Sequence, residues 1–283
     1  MTHSPSGIRA LLADHGLVPS RALGQNFVAD ANTVRRIARL AGVGRGDRVV
    51  EVGPGLGSLT LALLETGAEV TAVEVDRHLL PVLRSQVEPA GARVVEGDAL
   101  RLDWDDLLGP AAPARPWALV ANLPYNIATP LVLDLLAGVP QIDRMLVMVQ
   151  REVGERLAAG PGTKAYGIPS VRLRWWADAE VVGRVPASVF VPPPRVESTL
   201  VRVHRHPPAG DAAERARVYE LVEAGFGQRR KMLRRSLAGL VDANGFAAAA
   251  VRPDARAEEL TLDDWRRLAH HRSRDAGDTD VSV

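Results

Sequence analysis

The residues that most restrict this chain of 283 residues are a strand, a glycine turn and a helix in immediate succession. Residues 48–52 read as a short buried strand. Gly53-Pro54-Gly55-Leu56-Gly57 follows as a turn, and residues 59–64 continue as an apolar helical run. Strand, glycine turn and helix together lay out a nucleotide-type crevice, since glycine permits a tight turn and close approach of backbone to a ligand. The spacing narrows the reading. A dinucleotide fingerprint, G-x-G-x-x-G, sets its third glycine five residues after the first. Here the glycines occupy positions 53, 55 and 57, position 58 is Ser, and the strand itself carries an acid, Glu51. A nicotinamide oxidoreductase fails on that spacing, and no obvious hydride-transfer acid–base pair accompanies it.

The next strands carry acids at their tips. Residues 69–75 bring Glu74 to the end of a second strand, where a carboxylate can accept from ribose hydroxyls; Asp76 is the better candidate for capping the helix that follows. Residues 93–96 end in Gly97-Asp98, and Asp98 is either a turn former or an acceptor for an adenine amino group. Upstream, Gln25 and Asn26 adjoin Phe27 and Val28 ahead of a helical pattern at residues 32–41. They suit either a capped turn or an N-terminal lid that hydrogen-bonds a ligand.

A second focus is Asn122-Leu123-Pro124-Tyr125, at the end of an apolar run over residues 117–121. Ligands of open α/β sheets bind at the carboxyl ends of strands. Asn122 offers an acceptor and a donor. Pro124 biases Leu123 toward extended geometry, so the Leu123 carbonyl can point into a pocket, with the flat ring of Tyr125 beside it. Two acceptors on the hydrogens of a planar exocyclic amine draw it toward tetrahedral geometry, and a stacked ring fixes its plane. The plainer alternative is a turn with Tyr125 packed on the core. Further on, Pro192-Pro193-Pro194 cannot join a sheet ladder. These prolines could present Phe190 as an exposed aromatic facing Tyr125, with a base between the two rings, or Phe190 could belong to the core.

Pro207-Pro208-Ala209-Gly210 marks a domain boundary. We expect an α/β domain over residues 1–206, a helical domain over 207–272 with helices at 214–225, 229–240 and 262–269, and a disordered tail at 273–283. Residues 184–272 hold sixteen Arg or Lys against eleven Asp or Glu. Arg229, Arg230, Lys231, Arg234 and Arg235 fall within seven residues that contain no acid. As the opening of a helix, this run would place Arg230 with Arg234 and Lys231 with Arg235 on shared faces. Cations there oppose the macrodipole, which points to a polyanionic partner. The chain has no Cys, excluding disulfides and thiolate chemistry, and no acid cluster has the spacing of a calcium loop. With no secretory h-region and no apolar run near the ~20 residues of a membrane span, a cytoplasmic protein is expected.

The pattern E-x-G-x-G-x-G at residues 51–57 resembles that of S-adenosylmethionine-dependent methyltransferases. Taken in order, LGQNF, VEVGPGLGSLT, VEVD, GDAL, NLPYN, VQREV, VFVPPPRVES and GFGQRRKMLRRSL resemble the KsgA/RsmA family of rRNA adenine N6,N6-dimethyltransferases. The likeness runs over residues 23–240. It implies a Rossmann-like class I methyltransferase domain joined to a small helical domain. The implied cofactor is S-adenosylmethionine, with contacts at Asn26, Val28, Gly53, Glu74, Asp98 and Asn122. The implied target-base residues are Asn122, the Leu123 backbone, Tyr125 and Phe190. The basic run would contact RNA. The family has Leu where this chain has Val28, a position whose contact is largely backbone or apolar. The implied substrate is two adjacent adenosines in a hairpin near the 3′ end of small-subunit (16S) rRNA, within the immature 30S subunit, modified by a monomer that needs neither metal nor membrane. Two other readings are an Erm-type large-subunit rRNA methyltransferase and an RNA-binding assembly factor with secondary catalysis. The Erm type usually reads N-I-P-Y and lacks the GFGQRRKMLRRSL block.

Overall fold

The computed structural model describes residues 3–112 and 115–272, and the tail expected at 273–283 lies outside the described residues. The described residues divide into two compact units, one within residues 3–158 and 177–206 and the other of residues 159–176 with 207–272.

Among the described residues, the first unit holds nine strands: β1 (Phe27–Val28), β2 (Arg48–Val52), β3 (Glu69–Glu74), β4 (Arg93–Glu96), β5 (Trp117–Asn122), β6 (Ile142–Gln150), β7 (Ala177–Val185), β8 (Phe190–Val191) and β9 (Ser198–Arg205). Its helices are α1 (Pro5–Asp14), α2 (Ala31–Ala41), α3 (Ser58–Leu64), α4 (Leu80–Val87), α5 (Trp104–Leu108), α6 (Ala128–Gly138) and α7 (Arg151–Ala158). Seven strands form one sheet in the order β4-β3-β2-β5-β6-β9-β7. β2 through β6 run parallel, and β9 is antiparallel to both of its neighbours. From β2 the chain winds outward to β3 and β4, then returns to β5 on the other side of β2. The strand order therefore reverses between β2 and β5, the point at which doubly wound sheets open a crevice. β1 and β8 form a separate antiparallel pair.

The local reasons are ordinary. Central parallel strands are buried on both faces and so read as unbroken apolar runs, as in Val49, Val50 and Val52 of β2 and Trp117–Ala121 of β5. Asp30 accepts from the Thr33 N–H and starts α2; Gly42, at φ 63°, stops it. Val34 and Ile37 of α2 and Leu59 and Leu63 of α3 pack with Val49, Val120, Leu146 and Leu200 of the sheet. Among the described residues, no helix is long and apolar enough to cross a membrane.

The second unit holds α8 (Ile168–Arg174), α9 (Ala212–Gly227), α10 (Leu233–Ser236), α11 (Ala243–Ala248) and α12 (Leu262–His270). Two expectations are corrected here. Residues 159–176 group with the helices after 207, whereas a single boundary at 206/207 assigns them to the α/β domain. Their side chains explain it: Tyr166, Val171 and Trp175 are buried with Val218, Leu221, Phe246, Trp265 and Leu268. The Tyr166 hydroxyl donates to the Leu260 carbonyl at 2.9 Å, and the Gly162 N–H to the Glu258 carbonyl at 2.7 Å. Residues 229–240 are also not one helix. α9 ends at Gly227, a turn is closed by the Lys231 N–H on the Gln228 carbonyl (2.8 Å), Met232 is extended, and α10 is only four residues long. The Leu233 N–H is drawn to the Ala255 carbonyl at 2.8 Å, while Leu233 and Leu237 enter the core. Burial of these two leucines dictates the local path.

The contact of α9 with α12 depends on Gly225. A Cβ there would lie 2.6 Å from the Trp265 ring and 3.3 Å from the Ala257 Cβ. Overpacking of this kind costs about 1–3 kcal/mol, against a helix-propensity gain of about 1 kcal/mol for Ala over Gly. Gly225→Ala is expected to lower the urea midpoint of unfolding. An unchanged or raised midpoint would mean that the Trp265 ring moves aside freely.

Candidate active site

At the carboxyl ends of β2, β3 and β5 lies a cleft with about 800 Å³ of empty space. The glycine turn forms its floor. Gly53, Gly55 and Gly57 all have positive φ, at 70°, 59° and 86°, a region that other L-residues enter at a cost. Gly55 is doubly constrained: a Cβ on it would meet the Phe27 ring at 2.7 Å. The Gly53 N–H donates to the Val73 carbonyl at 3.0 Å, tying the turn to β3.

Two carboxyl groups are buried beside this turn. Glu74 accepts from the backbone N–H groups of Gly55 (3.1 Å), Val75 (3.0 Å) and Asp76 (2.9 Å). Burial raises its pKa, opposed by those hydrogen bonds. Glu51 accepts from the Thr60 hydroxyl at 2.6 Å. Burial pushes it up to about 8; the Thr60 bond opposes the shift and the nearby Glu74 adds to it. The Ser58 hydroxyl, also in the cleft wall, is buried without a hydrogen-bond partner among the described residues.

The N-terminal segment closes one side. Gln25 accepts from the Ser20 N–H at 2.7 Å and donates to Asp76 Oδ2 at 2.7 Å. The Asp76 Oδ1 accepts from the His78 N–H at 3.0 Å, so Asp76 shapes the turn before α4 and anchors Gln25. It does not cap α4, whose N-cap position is Leu79. Asn26 donates to the Gly24 carbonyl at 3.1 Å, and its own carbonyl accepts from Asn122 Nδ2 at 3.1 Å. Val28 is buried and pairs with Phe190 across β1 and β8. Asp98 accepts from the Leu100 N–H at 3.0 Å, as a turn former does, and also lines the cleft. Asn26, Val28, Gly53, Glu74, Asp98 and Asn122 thus face one space.

Asn122 ends β5, and Pro124 packs 3.3 Å from where a Gly53 Cβ would stand. Leu123 is buried, and its N–H donates to the Met148 carbonyl at 3.0 Å. Its carbonyl and the Asn122 Oδ1 accept no hydrogen bond among the described residues. Tyr125 is half-buried, and its hydroxyl lies 3.0 Å from the Ser198 hydroxyl at the start of β9. Burial raises its pKa, with the Ser198 bond opposing the shift.

Phe190 requires a correction. It is 2% exposed and packs with Val28, Val34, Val120 and Leu146. Pairing of β8 with β1 turns it inward, so it is not an exposed ring facing Tyr125. The basic run is corrected in part. Arg229 is held by Glu258 at 2.7 Å and by the Lys164 carbonyl at 2.8 Å. Arg230, Lys231, Arg234 and Arg235 are exposed and form no ion pair with the described residues. Because residues 229–231 form a turn, they share no helical face with Arg234 and Arg235. Ser198, Thr60 and Ser58 were not legible as site residues although all three lie inside the motifs VFVPPPRVES and VEVGPGLGSLT: the partners of Thr60 and Ser198 and the burial of the Ser58 hydroxyl arise only on folding.

The buried Glu51 carries a pH signature. From 4.5 to about 8 the folded protein keeps a proton that the unfolded chain releases. Native protein binds more protons in that window, so stability falls as pH rises through it. Glu51→Gln keeps the shape of the protonated carboxyl. Its urea midpoint is expected to decline less than the wild type's over that window. Equal declines would mean that Glu51 is already ionised in the folded protein.

A family model described as Ribosomal RNA adenine dimethylase matches residues 20–272. A protein of Leifsonia xyli subsp. xyli named Ribosomal RNA small subunit methyltransferase A is 51% identical over 277 residues, covering 94% of this chain and 96% of its own. Its namesake in Nocardia farcinica is 51% identical over 279 residues, covering 94% of each. The one in Cutibacterium acnes is 50% identical over 279 residues, covering 94% of this chain and 92% of its own. Among solved structures, the 23S rRNA methyltransferase ErmE superposes with a TM-score of 0.66 at 26% identity, over 87% of this chain and 99% of its own. A dimethyladenosine transferase from Plasmodium falciparum has the same fold, with a TM-score of 0.67 at 21% identity over 87% and 99%. With its Rossmann-like class I methyltransferase fold, the chain belongs to the ribosomal RNA adenine dimethylase family.

Proposed function

We propose that this protein transfers methyl groups from S-adenosylmethionine to the N6 atoms of two adjacent adenosines, in a hairpin near the 3′ end of small-subunit rRNA within the immature 30S subunit. One observation carries the chemistry. At the strand-order reversal Asn122 lines the glycine-turn cleft; its Oδ1 and the carbonyl of the adjoining Leu123 have no hydrogen-bond partner among the described residues, and Tyr125, two residues further on, lines the adjoining concavity.

The cleft suits the cofactor. Its walls are largely apolar, the Ser58 hydroxyl is left for a ligand, and the glycine turn leaves no side chain in the way. Glu74 would take the ribose hydroxyls, since carboxylate oxygens already bonded to N–H groups retain acceptor sites. Asp98 would take the adenine amino group, with Asn26, Val28 and Gly53 along the remaining walls. When bound, S-adenosylmethionine supplies an electrophilic methyl carbon on a positively charged sulfur.

The chain's own residues then hold the amine. An aromatic N6 is a weak nucleophile because its lone pair is delocalised into the ring. Asn122 Oδ1 and the Leu123 carbonyl accept its two hydrogens and favour the pyramidal geometry that frees the lone pair. The hydrogen bond from Asn122 Nδ2 to the Asn26 carbonyl sets which face of the amide points at the base. Tyr125 fixes the base plane, and Ser198 fixes the Tyr125 ring. Orientation of this kind supplies much of the rate in two-reactant chemistry. The target base must leave its stack to reach such a site. Phe190 would complete the sandwich only by leaving the core. Arg230, Lys231, Arg234 and Arg235 would contact RNA phosphates elsewhere. The small-subunit assignment is favoured by three relatives of about half identity that carry that name; ErmE stands at 26%.

The direct test is transfer of labelled methyl to immature small subunits, beside naked small-subunit rRNA and large subunits, with the product digested to nucleosides. N6,N6-dimethyladenosine from small subunits is expected. Label in large-subunit RNA would overturn the substrate assignment, and tight subunit binding without label would leave an assembly factor. Asn122→Ala is expected to lower the rate about a hundredfold or more through lost orientation. Ser198→Ala and Tyr125→Phe break the same hydrogen bond. Each is expected to lower kcat about fivefold, as for a neutral bond of ~1 kcal/mol, and the double variant no further. Additive losses would separate the two hydroxyls.

A further inference from the structure

The sheet-bearing unit has a second, open concavity. It begins where the first cleft ends. Gly24, Gln25 and Asn26 line both, and Tyr125 stands in the wall of the second. Its two banks come from the segment before Gly24 and from the proline segment after β8.

The surface of this groove has three properties at once. It exposes apolar faces: Val18 is 85% exposed, Val196 is 45% exposed, and three consecutive prolines lie between. Its charge has one sign. Among the described residues, Arg21 and Arg195 are the only charged ones lining it. Both are exposed, and neither forms an ion pair with the described residues. The adjoining acid, Glu197, faces Arg151 at 3.6 Å. Finally, the side-chain amides of Asn126 and Gln150, also in the groove, form no hydrogen bond with the described residues.

Cations with no acid beside them are placed for phosphates. Narrow apolar faces suit sugars and unstacked bases, and free amides can read exposed base edges. A protein partner would be expected to meet a wider apolar patch and charges of both signs. We infer that this groove binds the single-stranded RNA adjoining the target nucleotide. Arg21 and Arg195 hold the flanking phosphates, and Gln150 and Asn126 meet the edge of the neighbouring base. The inference rests on the reading of Tyr125 as the platform for the target base, because that ring marks where the strand would enter.

Each phosphate contact to a single strand contributes about 0.7 to the log–log salt slope of binding. Removing both arginines should therefore flatten the slope by about 1.4. The test uses the full chain with Arg21→Ala and Arg195→Ala combined, a fluorescent single-stranded oligoribonucleotide bearing two adjacent adenosines, and a salt titration. The charge-matched control combines Arg45→Ala and Arg93→Ala. Those exposed arginines lie at the amino ends of β2 and β4, the far edge of the sheet from the site. The groove variant is expected to bind RNA more weakly with the flatter slope while retaining its affinity for S-adenosylmethionine; the control should match wild type. A wild-type slope in the groove variant, or an equal loss in the control, would overturn the inference. So would displacement of the RNA by oligoglutamate of matched charge as effectively as by unlabelled RNA, which would make this an acidic-peptide site. Methyl transfer by the wild type is measured in parallel and keeps the two readings distinguishable. Should the groove variant show the flatter slope while even wild type transfers no methyl to any RNA, the groove stands and the proposed reaction falls. Normal transfer by wild type with an unchanged slope in the variant would leave the reaction standing and remove the groove.

Discussion

Parallel strands cannot be joined by short turns, so each must be followed by a crossover that returns the chain to the same edge. Where two series of crossovers diverge, the strand ends between them are left uncovered. In this protein the divergence is between β2 and β5. Everything proposed for the site follows from that topology. The glycine turn after β2 and Asn122 at the end of β5 become neighbours although about seventy residues separate them. Pro124 then packs against Gly53 closely enough that a side chain there would be crowded.

The cleft carries an electrostatic cost that its architecture partly offsets. Two carboxyl groups, Glu51 and Glu74, are buried within one small region. Isolated buried charge is strongly disfavoured. Glu74 is supported by three backbone N–H groups, which favour its ionised form. Glu51 has only the Thr60 hydroxyl among the described residues, and burial pushes it toward the protonated form. Burial raises both acids, and what opposes it differs: three backbone N–H groups at Glu74 and one hydroxyl at Glu51.

The N-terminal segment has a structural role beyond lining the cleft. Gln25 reaches Asp76, and the Asn26 carbonyl holds Asn122. The Phe27 ring packs over Gly55. These contacts join the segment to the ends of three different strands. The polar side chains of this segment therefore serve the fold as well as any ligand. That dual use is why residue type alone could not separate a capped turn from a lid at residues 25 and 26.

Local patterning was enough for much of this molecule. Residues 48–52 and 93–96 form strands within the limits read from the sequence, because each has a short β-branched stretch bounded by turn residues, and both signals are local. The glycine turn was equally legible, since positive φ restricts residue type at single positions. What lies far apart in sequence was decided by tertiary packing. Phe190 could have been presented or buried, and pairing of β8 with β1 buries it. The run 229–240 has helical periodicity, yet insertion of Leu233 and Leu237 into the helical unit breaks it. Residues 159–176 precede a strand of the sheet but bury Tyr166 and Trp175 with helices after 207. The hydroxyls of Thr60 and Ser198 acquire meaning only through partners brought by folding. The sequence by itself determined the elements, the glycine turn and the acids at strand tips, since these depend on neighbours along the chain. Only the tertiary structure decided which strand ends meet, which aromatic rings stay accessible and which cations stay free, because burial and pairing depend on residues distant in sequence.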